Sequence, residues 1–273
     1  MRVSVVVGVK NGAASLQRCL DSIAAQSLGG RETIVIDSAS TDGTVELLRE
    51  NERAGKVARF LSEPDRGLYQ AWNKALPLAR GEWICFLGCD DVFHDPGALQ
   101  ALVAGASGAS RVVYGRMNLV TPSGVVAETI GTPWARARRR FLAGVMLPHP
   151  GTLHHRTLFA ERGRFDESFR IAGDYEMLLR ELLEHEPAFV DRVVVDMQFG
   201  GMSSRPGAIY GNLHEILRAR AAHGLHGIPP RLRIMLAAGW LGSVIQRVLG
   251  DGAYRWCADV YRLARGKPRV WTI

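Results

Sequence analysis

The stretch Trp83-Ile-Cys-Phe-Leu-Gly-Cys-Asp-Asp91 decides the fold. Its apolar part, Trp83–Leu87, is typical of a strand that is covered on both faces in a parallel sheet. The strand runs into two adjacent carboxylates, Asp90 and Asp91, which are unfavourable beside a buried strand unless a cation balances them. Mg²⁺ binds a few carboxylates together with phosphate oxygens, so the pair predicts a site for a metal and a diphosphate. The alternative is that one Asp only caps the next helix.

The chain upstream of this stretch repeats a unit of apolar strand followed by helix. Strands are predicted at Val3–Val7, Thr33–Ile36 and Ala58–Leu61. Helices are predicted from Ser15 as the N-cap, with the stripe Leu16, Cys19, Leu20 and Ile23, then after Gly43, and over Leu68–Ala79. This alternation predicts an α/β fold with a doubly wound, mostly parallel sheet, and such sheets bind ligands at the carboxyl ends of their strands. Asp37 ends the second strand, where it is either a turn residue or a ligand-binding residue at the same sheet edge as Asp90.

Two further residues are candidates for ligand binding. Arg66 lies in the loop Ser62–Gly67. It is either a ligand-binding residue that stacks on a base or pairs with phosphate, or a solvated surface residue. His149 stands between two prolines, and nothing in its spacing requires a metal site. A structural or acceptor-pocket role is predicted for it.

Asp174 is the candidate catalytic base. It opens a predicted helix, Gly173–Glu184, where a carboxylate complements the helix dipole. The functional alternative is a general base beside an acceptor hydroxyl, with Glu176 as the runner-up.

The composition is that of an ordinary globular protein with unevenly distributed charge. The 273 residues are 47% hydrophobic and 22% charged, with a net charge of +7. From Arg205 onward there are eleven Lys and Arg against three Asp and Glu, whereas the rest has 23 basic and 24 acidic residues. The last quarter of the chain therefore predicts an anionic partner. The four cysteines form no Cys-X-X-Cys pair, which favours free thiols in a reducing cytoplasm.

Residues 205–273 are predicted to form a basic helical C-terminal extension, broken at Pro229-Pro230, of a domain that covers residues 1–204. Two apolar series recur at helical spacing: Trp240, Val244 and Val248, and Leu241, Ile245 and Leu249. The apolar stretch around residues 234–245 is shorter than the about 20 residues of a membrane span. The predicted helix either lies on an anionic membrane surface, helped by Arg231, Arg233 and Arg247, or packs on the first domain or in a homodimer.

Seven segments of the chain occur in a recognisable order. They are Ser4–Val7, Ile34–Thr44, Ser62–Tyr69, Asn73-Lys74, Gly81–Ile84, Phe86–Asp91 and Phe165–Glu176. The ordered set, over residues 3–205, resembles glycosyltransferase family 2, which has the GT-A fold. Each segment is moderately specific and the ordered set is highly specific. The similarity is greatest to the bacterial branch that builds exopolysaccharide, O-antigen and glycolipid sugars.

The resemblance implies a role for each matching residue. Asp37 and Arg66 would contact the base or ribose of the donor, Asp90 would lie by the ribose and diphosphate, and Asp91 would bind Mn²⁺ or Mg²⁺. Asp174 would deprotonate the acceptor hydroxyl. The implied enzyme is an inverting, metal-dependent glycosyltransferase of the hexosyltransferase type, with a Rossmann-like nucleotide-binding half.

The resemblance also implies the partners and the location. The partners would be a nucleoside-diphosphate sugar and a glycan or lipid-linked acceptor, in surface polysaccharide or glycolipid biosynthesis. The enzyme would be cytoplasmic or peripheral on the inner face of the membrane.

Three positions depart from the family pattern. Gly8-Val-Lys precedes Asn11 where the family has Pro-Thr and an aromatic residue, so Val9 offers the donor base only its backbone. The acidic element reads Cys89-Asp-Asp, so its first position offers no carboxylate ligand. His149-Pro150 stands where the branch often has His-Gln, which puts a polar role of the second residue in doubt.

Other functions explain the residues less well. A sugar-1-phosphate nucleotidyltransferase needs a Gly-rich, Arg-containing loop after the first strand, and a dinucleotide-binding oxidoreductase needs Gly-X-Gly-X-X-Gly there; Gly8–Gly12 has neither. A nucleic-acid-binding module would use the basic tail but leaves the acidic residues unexplained, so no nucleic-acid partner is predicted. A degenerate transferase that binds the donor without turnover remains an alternative.

Overall fold

The computed structural model describes residues 2–106, 108, 110–201, 208–264 and 266–272. Within these residues, nine strands form one sheet that is flanked by helices. The strands are β1 Val3–Val9, β2 Arg31–Asp37, β3 Arg59–Ser62, β4 Trp83–Gly88, β5 Val92–Phe93, β6 Val112–Val120, β7 Val126–Ile130, β8 Leu153–His155 and β9 Ala188–Gln198. The helices are α1 Ala13–Ala24, α2 Thr44–Arg53, α3 Leu68–Ala75, α4 Ala98–Ala104, α5 Trp134–Leu142, α6 Arg156–Arg162, α7 Gly173–Leu182, α8 Ala208–Ala222 and α9 Pro230–Leu263.

The sheet has a parallel half and a mixed half. Its strand order is β3-β2-β1-β4-β8-β6-β9-β5, and β7 pairs with β6. The first four strands in this order are parallel, as the alternation of strands and helices predicts. Beyond β4 the short strand β8 runs antiparallel to both of its neighbours, while β6 and β9 are parallel to each other.

The hydrophobic core lies in two layers, one on each face of the sheet. In β1, Val6 faces the layer that includes Trp72 of α3 and Leu178 of α7. Its neighbours Val5 and Val7 face the opposite layer, with the buried stripe of α1. Because strand residues alternate between faces, an all-apolar strand supplies both layers at once.

Several predicted boundaries are wrong by a few residues. Gly12, not Ser15, is the N-cap of α1, and Ser15 lies within the helix. The predicted helix Leu68–Ala79 ends at Ala75, before Pro77, which cannot continue the hydrogen-bonding pattern of a helix. Residues 266–272 are not helical, although a helical tail is expected there.

The described residues after 207 form α8, α9 and a non-helical end. Pro229 is the N-cap of α9 and Pro230 its first residue, which confirms the predicted break. A second break lies at Gly250, whose φ of 84° and ψ of 174° are not helical. The predicted domain boundary between residues 204 and 205 falls within residues 202–207, outside the described residues.

Candidate active site

The carboxyl ends of β2, β1 and β4 form one edge of the sheet, and they bring together residues that lie far apart in the sequence. Val9 is paired in register with Asp37, and Gly8 with Gly88, which precedes the acidic pair by two residues. The predicted cluster of Val9, Asp37 and Asp90 at one sheet edge is therefore present.

Asp37 lies at the centre of a network of hydrogen bonds within the turn after β2. It is fully buried, and its carboxylate accepts hydrogen bonds from the Ser40 amide at 3.0 Å, from the Ser62 hydroxyl at 2.6 Å and from the Ser40 hydroxyl. The carbonyl of Val9 accepts the Ser38 amide at 2.9 Å. Both residues thus shape the loop at the strand edge, and their contact with a donor stays a prediction.

The two members of the acidic pair have different surroundings. Asp91 is 5% exposed, and its two carboxylate oxygens accept the amides of Gly88 at 3.1 Å and Gln198 at 3.2 Å. Asp90 is half-buried. Burial first, and the charge of Asp90 second, raise the pKa of Asp91 to about 7.

Gly88 leaves the space in which the two carboxylates face each other. A Cβ atom at this position would lie 2.8 Å from an oxygen of Asp90 and 2.9 Å from an oxygen of Asp91. The nearby guanidinium of Arg18 donates to the backbone carbonyl of Asp90, at 3.3 Å. Two carboxylates that both approach Gly88, of which Asp91 has a raised pKa, fit a divalent cation.

The cation would need ligands beyond the protein. Among the described residues, no group of three or more His, Cys, Asp or Glu side chains is arranged to hold a metal ion. Mg²⁺ commonly takes one or two carboxylates and completes its coordination with water and substrate phosphates. The acidic pair therefore fits a metal that arrives together with a diphosphate.

Asp174 lies in the first turn of α7, where two groups orient its carboxylate. The Tyr175 amide donates to Oδ1 at 2.8 Å, and the Tyr69 hydroxyl approaches the same oxygen at 3.2 Å. The side chain is 20% exposed. Burial raises the pKa of Asp174 to about 6, against the lowering effect of these hydrogen bonds. A carboxyl group with this pKa is suited to accept a proton near neutral pH.

Tyr69 and Glu215 hold the backbone that precedes Asp174. A Cβ atom on Gly173 would lie 2.7 Å from the Tyr69 ring, so only glycine permits this close approach. Glu215 of α8 accepts the amides of residues 170, 171 and 172 at 2.9, 2.8 and 2.9 Å. Neither residue has a role that its sequence context predicts, although Tyr69 ends the family-like segment Ser62–Tyr69 and Glu215 is the lone acidic residue of α8.

The geometry favours Asp174 over the runner-up base, Glu176. The Glu176 carboxylate forms an ion pair with Arg180 and lies 2.9 Å from Nε2 of His223. It is 6% exposed. A carboxylate with these two partners is poorly placed to accept a proton from a substrate.

His149 lies between Asp174 and the end of β1. Its Nδ1 is 3.9 Å from Oδ2 of Asp174, and its ring stacks on Trp72, which in turn lies against Gly8. Burial lowers the pKa of His149 to about 3, so the imidazole is neutral. Within the described residues its Nε2 has no hydrogen-bond partner. The predicted acceptor-pocket residue is thus a neighbour of the candidate base.

Arg66 lies on the outer side of the site. Its side chain is 81% exposed and forms an ion pair with Glu167 at 3.2 Å, which joins the loop before α3 to the loop before α7. An exposed pair of this kind is weak, so the guanidinium is available to exchange partners.

Comparisons with known proteins place these residues in a family. The model of the family described as Glycosyl transferase family 2 matches residues 4–158, more than half of the chain. An uncharacterized glycosyltransferase of Mycobacterium tuberculosis is 33% identical over 222 residues, which are 78% of this chain and 82% of that protein. A glycosyltransferase of PGL/p-HBAD biosynthesis from Mycobacterium bovis is 31% identical over 211 residues, which are 74% of this chain and 78% of that protein.

Solved structures show the same fold. TarS of S. aureus in complex with UDP-GlcNAc superposes with a TM-score of 0.67 and 21% identity, over 92% of this chain and 75% of that one. The mannosyltransferase PcManGT of Pyrobaculum calidifontis, in complex with GDP-Man and Mn²⁺, gives a TM-score of 0.62 and 21% identity, over 97% and 80% of the two chains. The α/β architecture with its C-terminal helices is that of the GT-A glycosyltransferases, as predicted. The chain belongs to glycosyl transferase family 2.

Proposed function

We propose that this glycosyltransferase is an inverting, metal-dependent enzyme that moves a sugar from a nucleoside-diphosphate sugar to an acceptor hydroxyl. The observation that carries the proposal is the presence of two acidic sites, the half-buried Asp90 with the buried Asp91 at the end of β4, and the partly exposed Asp174 at the start of α7. A continuous series of contacts through Gly8, Trp72 and His149 joins them. The Asp90-Asp91 site is suited to bind a metal ion with a diphosphate, and the Asp174 carboxylate is suited to accept a proton.

The donor would bind at the strand edge. Val9, Asp37 and Arg66 are proposed to surround the base and ribose, and Asp90 to lie by the ribose and diphosphate. Asp91 is the proposed ligand of Mn²⁺ or Mg²⁺, beside the half-buried Asp90. The cation, when bound, would neutralise the charge of the departing nucleoside diphosphate. PcManGT, with GDP-Man and Mn²⁺, and TarS, with UDP-GlcNAc, support this class of donor.

The acceptor would be activated by Asp174. Its carboxylate takes the proton of the acceptor hydroxyl as that oxygen attacks the anomeric carbon and the bond to the diphosphate breaks. A single displacement inverts the anomeric centre and needs no nucleophile on the protein. The Tyr69 hydroxyl, whose shorter hydrogen bond goes to the Ile171 carbonyl, also lies 3.2 Å from the receiving carboxylate. His149 is proposed to line the acceptor pocket as a neutral ring.

The acceptor is proposed to be a glycan or a lipid-linked sugar of the cell surface. The relative in PGL/p-HBAD biosynthesis supports the glycolipid branch. The proposed location is the cytoplasm, at the inner face of the membrane. All four cysteines are free thiols, as is common in a reducing compartment. We propose residues 1–204 as the catalytic domain and residues 205–273 as an extension.

A thermal-shift panel with a transfer assay tests the proposal. UDP-, GDP- and dTDP-sugars are added with Mn²⁺ or with EDTA, because a ligand that binds only the folded state raises the unfolding midpoint. We expect a Mn²⁺-dependent shift with one nucleotide family, and inversion at the anomeric carbon in the transferred product. A shift without transfer to any acceptor saccharide or lipid extract would favour the degenerate transferase. A shift that is equal in EDTA would contradict the metal role.

A further inference from the structure

The helix α9 exposes an apolar surface that the catalytic domain does not cover. It is the helix among the described residues that is long and apolar enough to cross a membrane, with a mean hydropathy of 1.3 over its best 18 residues, of which 6% are buried. Its large exposed apolar residues are Ile234, Met235, Trp240, Leu241, Val244, Val248, Leu249, Trp256, Val260, Tyr261 and Leu263. Exposed apolar surfaces of this extent mark interaction sites.

The helix is folded back on itself at Gly250. A Cβ atom on Gly242 would lie 2.9 Å from the ring of Tyr254, so the segments on the two sides of Gly250 are in contact. We call residues 230–263 the C-terminal hairpin. Val248 and Leu249, at its turn, are 71% and 68% exposed.

Both ends of the C-terminal hairpin are attached to the catalytic domain. At the start, Leu232 is buried against Gly144 and Ile216. Beyond the end, Lys267 forms an ion pair with Glu128 of β7 at 2.7 Å, and the Trp271 ring lies against Phe199.

A carboxylate within the hairpin fixes its return to the domain. Asp259 is 2% exposed and accepts the amides of residues 270–272. Because the hairpin leaves and returns on the same side, a crossing would need two membrane-spanning arms, and the arm after Gly250, residues 251–263, is shorter than the about 20 residues of a span. The expectation that the apolar stretch around residues 234–245 is too short to cross a bilayer is wrong as to length, because α9 as a whole is long and apolar enough.

The charge around the apolar surface is almost entirely positive. Arg231, Arg233, Arg247 and Arg255 are exposed. Of the two carboxylates of the hairpin, Asp259 is buried, and Asp251 is exposed beside the turn, where it accepts a hydrogen bond from Gln246 at 2.8 Å. An apolar surface with a basic rim is complementary to the interface of an anionic membrane. A second copy fits less well, because a two-fold contact would bring the same arginines together.

We propose that the C-terminal hairpin lies in the surface of an anionic membrane, with its turn inserted among the lipids and its arginines at the headgroups. Trp240 and Trp256, 56% and 62% exposed, are the side chains suited to the boundary between water and lipid. The inference rests on the proposed membrane-side location but not on the proposed chemistry, since lipid binding needs neither donor nor acceptor.

Vesicle co-sedimentation of the full chain tests the inference. One set of vesicles is pure phosphatidylcholine, and the other has three parts phosphatidylcholine to one part phosphatidylglycerol. We expect binding to the anionic vesicles that is at least about tenfold stronger and that weakens with added salt, because exposed charges are screened. Equal binding to both sets, or binding to neither, would overturn the proposal.

Two double variants locate the binding surface. Val248→Asp with Leu249→Asp should reduce binding to anionic vesicles by at least about tenfold, because charges at the turn oppose insertion. The matched control is Val125→Asp with Val126→Asp, two adjacent exposed valines at the start of β7, which should bind as the wild type does. An unchanged unfolding midpoint and an unchanged donor-induced shift show that each variant is folded. Equal loss in both variants would exclude the hairpin as the site.

Two other roles of the hairpin would give different results. If the hairpin forms a dimer interface with a second copy, sedimentation without lipid gives a dimer for the wild type and a monomer for the Val248→Asp, Leu249→Asp variant, and anionic vesicles are not bound. If it spans a bilayer, the protein made in cells resists extraction by high salt and alkaline carbonate. Either result would overturn the proposal. A failure of donor binding or transfer leaves the vesicle result unaffected, so the two proposals fail separately.

Discussion

Asp91 and Asp174 are both buried carboxyl groups with a raised pKa, but the surroundings that raise it differ. At Asp91 the second cause after burial is the adjacent charge of Asp90. At Asp174 burial acts against hydrogen bonds from Tyr175 and Tyr69, and the charge of Glu215 is a minor cause. The first site has two adjacent carboxylates beside the guanidinium of Arg18, whereas the second has one carboxyl group that hydrogen bonds orient. This difference is why we propose the cation for the first site and the proton transfer for the second.

The largest expected effect is that of Asp174→Asn. The amide retains an oxygen that can accept the Tyr175 and Tyr69 hydrogen bonds, but it cannot take up a proton. We expect turnover to fall by about a hundredfold or more, as for the loss of a general base, with donor binding unchanged. Steady-state kinetics measure the turnover, and the thermal shift measures donor binding. Near-normal turnover would remove Asp174 from the role and favour Glu176.

The second effect concerns Asp91→Ala, compared with Asp90→Ala. Removal of the proposed metal ligand should weaken donor binding in Mn²⁺ by about tenfold or more and leave binding in EDTA unchanged. Donor titrations in Mn²⁺ and in EDTA measure both. If Asp90→Ala alone abolishes the Mn²⁺ dependence, the half-buried Asp90 is the ligand and Asp91 supports the loop through its two backbone amides.

The third expected effect is that the free energy of unfolding of the metal-free protein depends on pH. The pKa of Asp91 is about 7 in the folded chain, above the usual value of about 3.9 in an unfolded chain. Between these values the folded state holds the extra proton, so stability rises as pH falls from about 8 to about 5. Protonation of Asp91 is expected to raise the free energy of unfolding by about 1–3 kcal/mol over this range, since a shift of one pKa unit corresponds to about 1.4 kcal/mol. Unfolding midpoints across this range measure it.

Two controls isolate the contribution of Asp91 to this pH dependence. Saturating Mn²⁺ together with a nucleoside diphosphate should abolish the pH-dependent gain in stability by stabilising the charged form of Asp91, and Asp91→Asn should lack this gain. A pH profile that is the same with the diphosphate alone and with the diphosphate and Mn²⁺ would place the cation elsewhere.

The smallest effect is that of Tyr69→Phe. The Tyr69 hydroxyl lowers the pKa of Asp174, so its loss should shift the acid limb of the kcat/KM profile from near pH 6 to higher pH. Turnover at neutral pH should then fall only several-fold, because part of the base is protonated. Tyr114→Phe is the matched control, since this hydroxyl donates to the Thr132 carbonyl, outside the site. An acid limb that moves equally in both variants would reject the role of Tyr69.

Much of the fold, and the position of several candidate site residues, were predictable from the sequence. Strand positions and the stripe of α1 follow from hydrophobic runs and spacing, which are local properties. The roles of the site residues stay predictions, but the positions of Asp37, Asp90 and Asp91 at the strand edge were predictable because each ends or follows a strand. The N-cap of α1 was not, because Gly12 and Ser15 both suit the start of a helix and tertiary contacts select between them.

The sequence by itself determined the order of strands and helices, the acidic pair at the strand edge and the basic, apolar tail. Only the tertiary structure decided that Asp174, and not Glu176, faces a neutral His149. It alone brought Glu215 to the Ala172 amide across 43 residues, and folded α9 back at Gly250. The physical reason is that hydrophobic periodicity is a local property of residues that are close together in the sequence. Desolvation, hydrogen bonding and the direction of a chain reversal instead depend on groups that only folding brings into contact.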